Sequence, residues 1–264
     1  MPTNARTIDA HCHVWPGAPG TTAAPREPAD YSIETHLARL AEHGIEATVL
    51  VPHIAYDGRD LGYLHACAAR YPGRCAVMGA ITGAEVAEPQ RLDDDIAQGV
   101  RAFRIRAADM HVPLDALCEY LARSGGVLCP LVTRAQARAG ALDAIGPLAD
   151  RHPALRFVLD HFGGDHNAPA LAQLARRANI LLKVSDFGAF DQPPYDAART
   201  ATVAMCALFG AQRLMWGSNL PVFALDARQD LGAAWHAIRD AASLGDTERA
   251  AILGGTAATV FFPH

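Results

Sequence analysis

The sequence predicts an α/β protein of the (β/α)8 class, a TIM barrel, with residues 1–264 forming a single domain. Short apolar runs alternate with longer amphipathic stretches along the whole chain, and eight such pairs can be counted. Half of the 264 residues are apolar, which is enough for the large core of one barrel of this length.

Each apolar run is predicted to be a strand, because runs of four to eight apolar residues bounded by turn residues are typical of buried strands. The predicted strands are residues 7–12, 46–51, 75–80, 100–105, 127–132, 155–160, 180–184 and 213–217. The predicted helices are residues 32–43, 61–71, 89–98, 113–123, 142–151, 169–177, 196–209 and 227–242, with a further helical segment from residue 247 onwards.

Glycine and proline mark the ends of these helices. Gly44 and Gly99 follow predicted helices immediately before strands, and Pro72 and Pro153 stop two others. The alternative architecture is an open doubly wound sheet, which the sequence favours less because no glycine-rich phosphate loop follows the first strand.

Composition excludes several classes of protein. The formal net charge of −5 offers no basic surface for nucleic acid. The six cysteines are scattered without a CxxC pair, which indicates free thiols in a reducing compartment. No apolar run approaches the roughly 20 residues of a membrane span, so we expect a cytoplasmic protein that contacts neither membrane nor nucleic acid.

The first predicted strand ends in His11-Cys12-His13. Residues two apart on a strand point to the same face, so both imidazoles face one way. Imidazole binds metals and titrates near neutral pH, which favours a hydrolytic site at this strand end.

Further polar residues follow the other strands, at the carboxyl ends where barrels of this class place their active sites. They are His53 and Tyr56 after the second strand, Arg104 and Arg106 on the fourth, Arg134 after the fifth, His161 after the sixth, Asp186 after the seventh and Asn219 after the eighth. Burying such groups without a function costs several kcal/mol each. Individually, His53 fits better as a hydrogen-bonded loop histidine.

The chain resembles the amidohydrolase superfamily over nearly its whole length, and most of all the branch that contains 2-pyrone-4,6-dicarboxylate lactonase. The resemblance lies in the Asp-x-His-x-His start, in Leu159-Asp160-His161-Phe162-Gly163, in Leu182-Lys183-Val184-Ser185 and in Trp216-Gly217-Ser218-Asn219-Leu220-Pro221.

The resemblance implies that His11, His13 and His161 carry the chemistry, together with a strand-eight aspartate. This sequence has Asn219 at the aspartate position, and strand five ends in Thr133 without the metal ligand of the metal-dependent members. We therefore expect a reaction that needs no metal. If one divalent ion is bound, zinc or manganese, its ligands would be His11, His13 and His161.

The expected activity is hydrolysis of a small carboxylated lactone or a related ester or amide. Arg104, Arg106 and Arg134 would bind a substrate carboxylate, with His53, Tyr56 and Asp186 beside the substrate. The three histidines would polarise the carbonyl, and Asn219 would position water. An amide cannot act as a base, which leaves His161, His53 or Asp186 for that role.

Two other functions stay open at this point. One is a metal-dependent decarboxylase of the same superfamily, against which Asn219 counts because those enzymes use the strand-eight aspartate as a ligand. The other is a non-catalytic binding protein on the same scaffold, which would have little need of three strand-end histidines. The expected partner is a small carboxylate or lactone, and the chain could also form a homo-oligomer.

Overall fold

The structure is a computed structural model that describes residues 6–16, 30–53, 61–222 and 228–262. Eight strands alternate with helices along these residues. The strands are β1 (Ile8–Cys12), β2 (Ala47–Leu50), β3 (Cys75–Ile81), β4 (Ala102–Arg106), β5 (Val127–Leu131), β6 (Arg156–Leu159), β7 (Ile180–Ser185) and β8 (Leu214–Gly217).

The helices between the strands are mostly short. They are α1 (Ile33–Glu42), α2 (Gly62–Arg70), α3 (Gly83–Ala87), α4 (Asp93–Ala97), α5 (Asp115–Arg123), α6 (Arg134–Arg138), α7 (Ile145–Arg151), α8 (Ala170–Leu174), α9 (Asp196–Phe209), α10 (Leu231–Arg239), α11 (Asp246–Ala250) and α12 (Thr256–Phe261).

The eight strands form one sheet in the sequential order β1 to β8, and every pair from β1–β2 to β6–β7 is parallel. Strands β1 and β8 are also in contact. This is the strand order of a (β/α)8 barrel, so the predicted fold class is confirmed. All eight predicted strands are present, with ends that differ by one or two residues.

The chain divides into two compact units. The first consists of Met1–Val77 and Val184–His264. In this unit β1 pairs with β2, Thr48 to Leu50 of β2 pair with the first residues of β3, and α12 packs against β1 and β8. The second unit is Met78–Lys183, in which the last residues of β3 pair with β4 and the pairing continues through β5 and β6 to β7. The single domain over residues 1–264 stays a prediction.

Two short helices were not predicted, although their start signals are in the sequence. Thr82 and Glu85 form a capping box at the start of α3, and Thr133 and Gln136 form another at the start of α6. In each, the threonine side chain accepts from a main-chain N–H and the residue three positions later accepts from the threonine N–H. Within the described residues, no helix is long and apolar enough to span a membrane.

Candidate active site

The histidine pair of β1 lies in the interior of the first unit. His11 is fully buried and His13 is 3% exposed, and their ring centroids are 5.1 Å apart with the rings nearly perpendicular. The ring of His53, at the end of the segment after β2, lies 4.9 Å from that of His13. The structure thus brings together three of the predicted site residues, which we call the histidine cluster.

Main-chain hydrogen bonds hold the histidine pair against the end of β8. Asn219 N donates to His11 O, and His13 N donates to Leu220 O, both at 2.7 Å. A Cβ at Gly217 would lie only 2.7 Å from His11 Cβ, so glycine is required for this approach. The residues after β8 are therefore fixed directly beside the two imidazoles.

The proton position on His13 follows from its partner. His13 Nδ1 lies 2.7 Å from Val51 O, and a carbonyl oxygen only accepts, so Nδ1 carries the proton. In the neutral form of the ring, Nε2 then carries the lone pair. This tautomer suits a metal ion or a transferred proton. Stabilising an oxyanion, as the sequence suggested, would require the protonated ring.

Asp9 is a structural residue of this cluster that the sequence analysis missed. It is fully buried and accepts hydrogen bonds from His11 N, Ser218 N and Ser218 Oγ at 3.1, 2.8 and 2.6 Å. His36 Nε2 lies 3.3 Å from its Oδ2. A charged residue two positions before His11 on a buried strand was the available signal.

Asp186 and Asn219 form a second pair in the same unit. Asn219 Nδ2 donates to Asp186 Oδ1 over 2.8 Å. Asn219 is 3% exposed and Asp186 is half-buried. Both residues have left-handed backbones, with φ of 60° for Asp186 and 57° for Asn219, a conformation that Asp and Asn tolerate better than most residues.

The second unit contains a buried group of charges at the ends of β4, β6 and β7. Arg104 Nε donates to Asp160 Oδ2 over 2.9 Å, and Lys183 Nζ lies 3.2 Å from Asp160 Oδ1. Asp160 and Lys183 are fully buried, and Arg104 is 8% exposed. Two cations therefore contact one carboxylate, and we call these three residues the cationic cluster.

Lys183 is the only lysine of the chain, and the sequence analysis did not single it out. A lysine within the apolar run Ile180-Leu181-Leu182-Lys183-Val184 is a strong signal, because lysine is almost never fully buried unless it is paired.

His161 follows β6 and contacts the cationic cluster. Arg104 Nη2 lies 3.4 Å from His161 Nε2, and an arginine can only donate, so Nδ1 of this neutral ring carries the proton. Burial, together with the positive charges of Arg104 and Lys183, lowers the pKa of His161 to about 3. The negative charge of Asp160 opposes this shift. The ring is therefore neutral at physiological pH. It lies on a turn where four consecutive residues, through Gly164, have positive φ.

Of the other predicted substrate-binding residues, Arg106 and Arg134 are described and Tyr56 is not. Arg106 is half-exposed and donates from Nε to Asp109 over 2.8 Å. Arg134 is half-buried at the start of α6. Tyr56 lies outside the described residues.

Comparison with known proteins identifies the family. A family model described as amidohydrolase matches residues 8–262, nearly the whole chain. The chain belongs to this family, and the predicted class, a hydrolase enzyme related to lactonases, is confirmed.

Three similar proteins show which kinds of family member this chain resembles. An L-fucono-1,5-lactonase from Burkholderia ambifaria is 29% identical, over 95% of this chain and 93% of its own length. A structure from Pseudomonas putida, assigned as a 2-pyrone-4,6-dicarboxylic acid hydrolase, is 26% identical with a TM-score of 0.73, covering 98% of each chain. A zinc-bound amidohydrolase from Burkholderia multivorans is 25% identical with a TM-score of 0.72, covering 97% of this chain and 99% of its own.

Proposed function

We propose that this chain hydrolyses a small lactone that carries a carboxylate, adding water across the ring ester. The observation that carries this proposal is the buried His11–His13 pair at the end of β1, in a chain that matches a lactonase over 95% of its length. Water would add to the lactone carbonyl, and the ring C–O bond would break to give a hydroxy acid.

The proposed catalytic residues are His11, His13, His161 and Asn219. They lie at or after the carboxyl ends of β1, β6 and β8, which is where enzymes of this fold place their chemistry. The Nδ1–H of His161 suits hydrogen bonding to a carbonyl oxygen that gains negative charge. The lone pair of His13 suits acceptance of a hydrogen bond from a reacting water.

Carboxylate binding is proposed for Arg106 and Arg134, whose guanidinium groups are partly exposed. Arg104 contributes charge and holds His161, because its Nε and Nη2 already donate to Asp160 and His161. His53, Tyr56 and Asp186 complete the predicted substrate contacts.

The family implies a divalent cation, and the donor set fits one only in part. The Nε2 lone pair of His13 is oriented by Val51 O, the arrangement typical of metal-binding histidines. Zinc or manganese held by His11, His13 and His161 would polarise the carbonyl or lower the pKa of a bound water, but His161 would first have to give up the hydrogen bond that its Nε2 accepts from Arg104. Asn219 and Thr133 stand where the resemblance implies further ligands, and on that ground we propose that hydrolysis does not require the ion.

The proposal is tested by assaying purified protein, with a pH indicator that reports acid release, on L-fucono-1,5-lactone and 2-pyrone-4,6-dicarboxylate. We expect hydrolysis, with kcat reduced by about 10²–10⁴-fold in His13→Ala. The matched control is His111→Ala, an exposed histidine that donates to Ala108 O, which should retain kcat. Lactones unchanged by the wild type would refute the proposal, and carbon dioxide release would favour a decarboxylase.

Metal dependence and carboxylate recognition are tested on the same protein. Elemental analysis and assay after chelation should show activity that persists without zinc or manganese. Arg134→Ala should raise KM for carboxylated lactones more than for neutral ones. Equal increases in KM for carboxylated and neutral lactones would contradict recognition of a substrate carboxylate.

A further inference from the structure

We propose that Asp186 is the general base of the site, with Asn219 as the residue that orients the attacking water. This inference rests on the proposed lactone hydrolysis and assigns the step that an amide at position 219 cannot perform. It also places the reactive carboxylate after β7, whereas the family resemblance implies one after β8.

The contact between the two side chains fixes the orientation of the amide. A carboxylate only accepts hydrogen bonds, so the group of Asn219 that faces Asp186 Oδ1 at 2.8 Å must be the NH2. Asn219 Oδ1 therefore points elsewhere. It is buried, and among the described residues it has no hydrogen-bond partner.

Such a buried acceptor needs a donor, because an unsatisfied polar group costs about 1–3 kcal/mol. Water supplies two O–H donors. One can be accepted by Asn219 Oδ1 and the other by the half-buried carboxylate of Asp186. A water held by two acceptors turns its lone pairs outward, which is the orientation needed for attack on a carbonyl carbon.

The backbone around both residues is built to hold them. Left-handed φ values at non-glycine residues cluster at functional sites, and Asp186 and Asn219 both have them. Asn219 N is bonded to His11 O, which fixes the pair beside the histidine cluster. The segment after Asp186 is anchored through Gly188 N, which donates to Gln229 Oε1 over 2.9 Å.

The other two candidates for the base are less suited by geometry. His161 accepts a hydrogen bond from Arg104 at Nε2, which leaves an N–H at the other ring nitrogen. His53 packs its ring against His13 and Trp15, with centroids 4.9 and 5.4 Å away. Of the three candidates, Asp186 is the one that accepts a hydrogen bond from the oriented side-chain amide of Asn219.

The step balances without any added reagent. The water oxygen forms a bond to the lactone carbonyl carbon while Asp186 takes the proton that the water loses. The tetrahedral intermediate then collapses with cleavage of the ring C–O bond. The proton on Asp186 passes to the leaving oxygen, which becomes the hydroxyl of the product and restores the carboxylate.

The decisive experiment compares Asp186→Asn with the exchanged variant Asp186→Asn/Asn219→Asp. Asparagine tolerates the left-handed backbone at 186, so both proteins should fold. We expect kcat to fall by about 10²–10⁴-fold in Asp186→Asn with little change in KM. The exchange should recover at least about 10-fold of that loss, because it returns a carboxylate to the pair.

Asp191→Asn is the matched control, because Asp191 lies in the same connection after β7 as Asp186 and has no role in the proposed step. Its carboxylate accepts hydrogen bonds from Gln192 N and Ala198 N. It should keep the wild-type kcat, and circular dichroism should show all variants folded. Full kcat in Asp186→Asn, or no recovery in the exchange, overturns the assignment while lactone hydrolysis stands. A wild type that hydrolyses no lactone overturns both.

Discussion

Ser218 holds both carboxylate oxygens of Asp9, donating from its main-chain nitrogen to Oδ1 over 2.8 Å and from its hydroxyl to Oδ2 over 2.6 Å. The contact joins β1 to the residue that follows β8. Because His11 lies two residues after Asp9 and Asn219 directly follows Ser218, this contact sets the relative position of an imidazole and an amide that we place in the site.

We predict that Asp9→Ala lowers the free energy of unfolding by about 3–5 kcal/mol, the range for removing one partner of a buried charged contact. Chemical denaturation measures this. Asp150→Ala removes an exposed carboxylate paired with Arg177 and should change the stability far less. Equal stability of the two variants would contradict the structural role of Asp9.

Lys183→Met should also destabilise the protein, by about 3–5 kcal/mol, because it removes an ammonium from the fully buried carboxylate of Asp160. Methionine matches the length of the apolar stem, so the loss reports charge more than volume. Thermal and denaturant unfolding measure it. The double variant Lys183→Met/Asp160→Asn should be less stable than Lys183→Met alone, because Arg104 would then lose the carboxylate to which it donates, and the reverse order would contradict the contacts described for this cluster.

Asn219→Asp distinguishes two expectations for this position. If the site worked as the family resemblance implies and Asn219 only impaired it, an aspartate at this position would raise kcat. Because Asn219 donates to Asp186, the substitution removes that donor and places two carboxylates at hydrogen-bond distance. We therefore expect kcat at neutral pH to fall at least about 10-fold. Steady-state kinetics decide, and an increase in kcat would favour the first expectation.

The cysteines are predicted to be inert in the folded protein. All six are free and buried. Desolvation raises the pKa of Cys75, Cys118 and Cys129 to about 12 and that of Cys206 to about 11. The thiolate is the reactive form, so at pH 8 these thiols stay protonated.

Ellman's reagent measures that reactivity. Native protein at pH 8 should react far more slowly than glutathione, and six thiols should titrate after denaturation in guanidinium chloride. A fast stoichiometric reaction of any thiol in the native protein would be the contrary result.

The barrel was predictable because its signals are local. Every predicted strand is present, since each is a short apolar run between turn residues such as Gly44 and Gly99. Helices α3 and α6 were missed, although Thr82 and Thr133 mark their starts.

The candidate site was predictable only in part. The positions of His11, His13 and His161 at strand ends follow from residue type and spacing. Which ring nitrogen carries the proton in His13 and His161 could not be predicted, because it depends on Val51 O and on Arg104, which are distant in sequence. The hydrogen bond between Asp186 and Asn219 joins residues 33 positions apart, and it could not be predicted from the sequence either.

The burial of Lys183 has a practical consequence for studying this chain. As it is the only lysine and is fully buried, the folded protein exposes no side-chain amine among its described residues. Amine-directed labels and cross-linkers applied to the native protein are therefore directed to its amino terminus. Acylation at Lys183, detected by mass spectrometry, marks molecules in which β7 has opened, and so serves as a built-in reporter of unfolding.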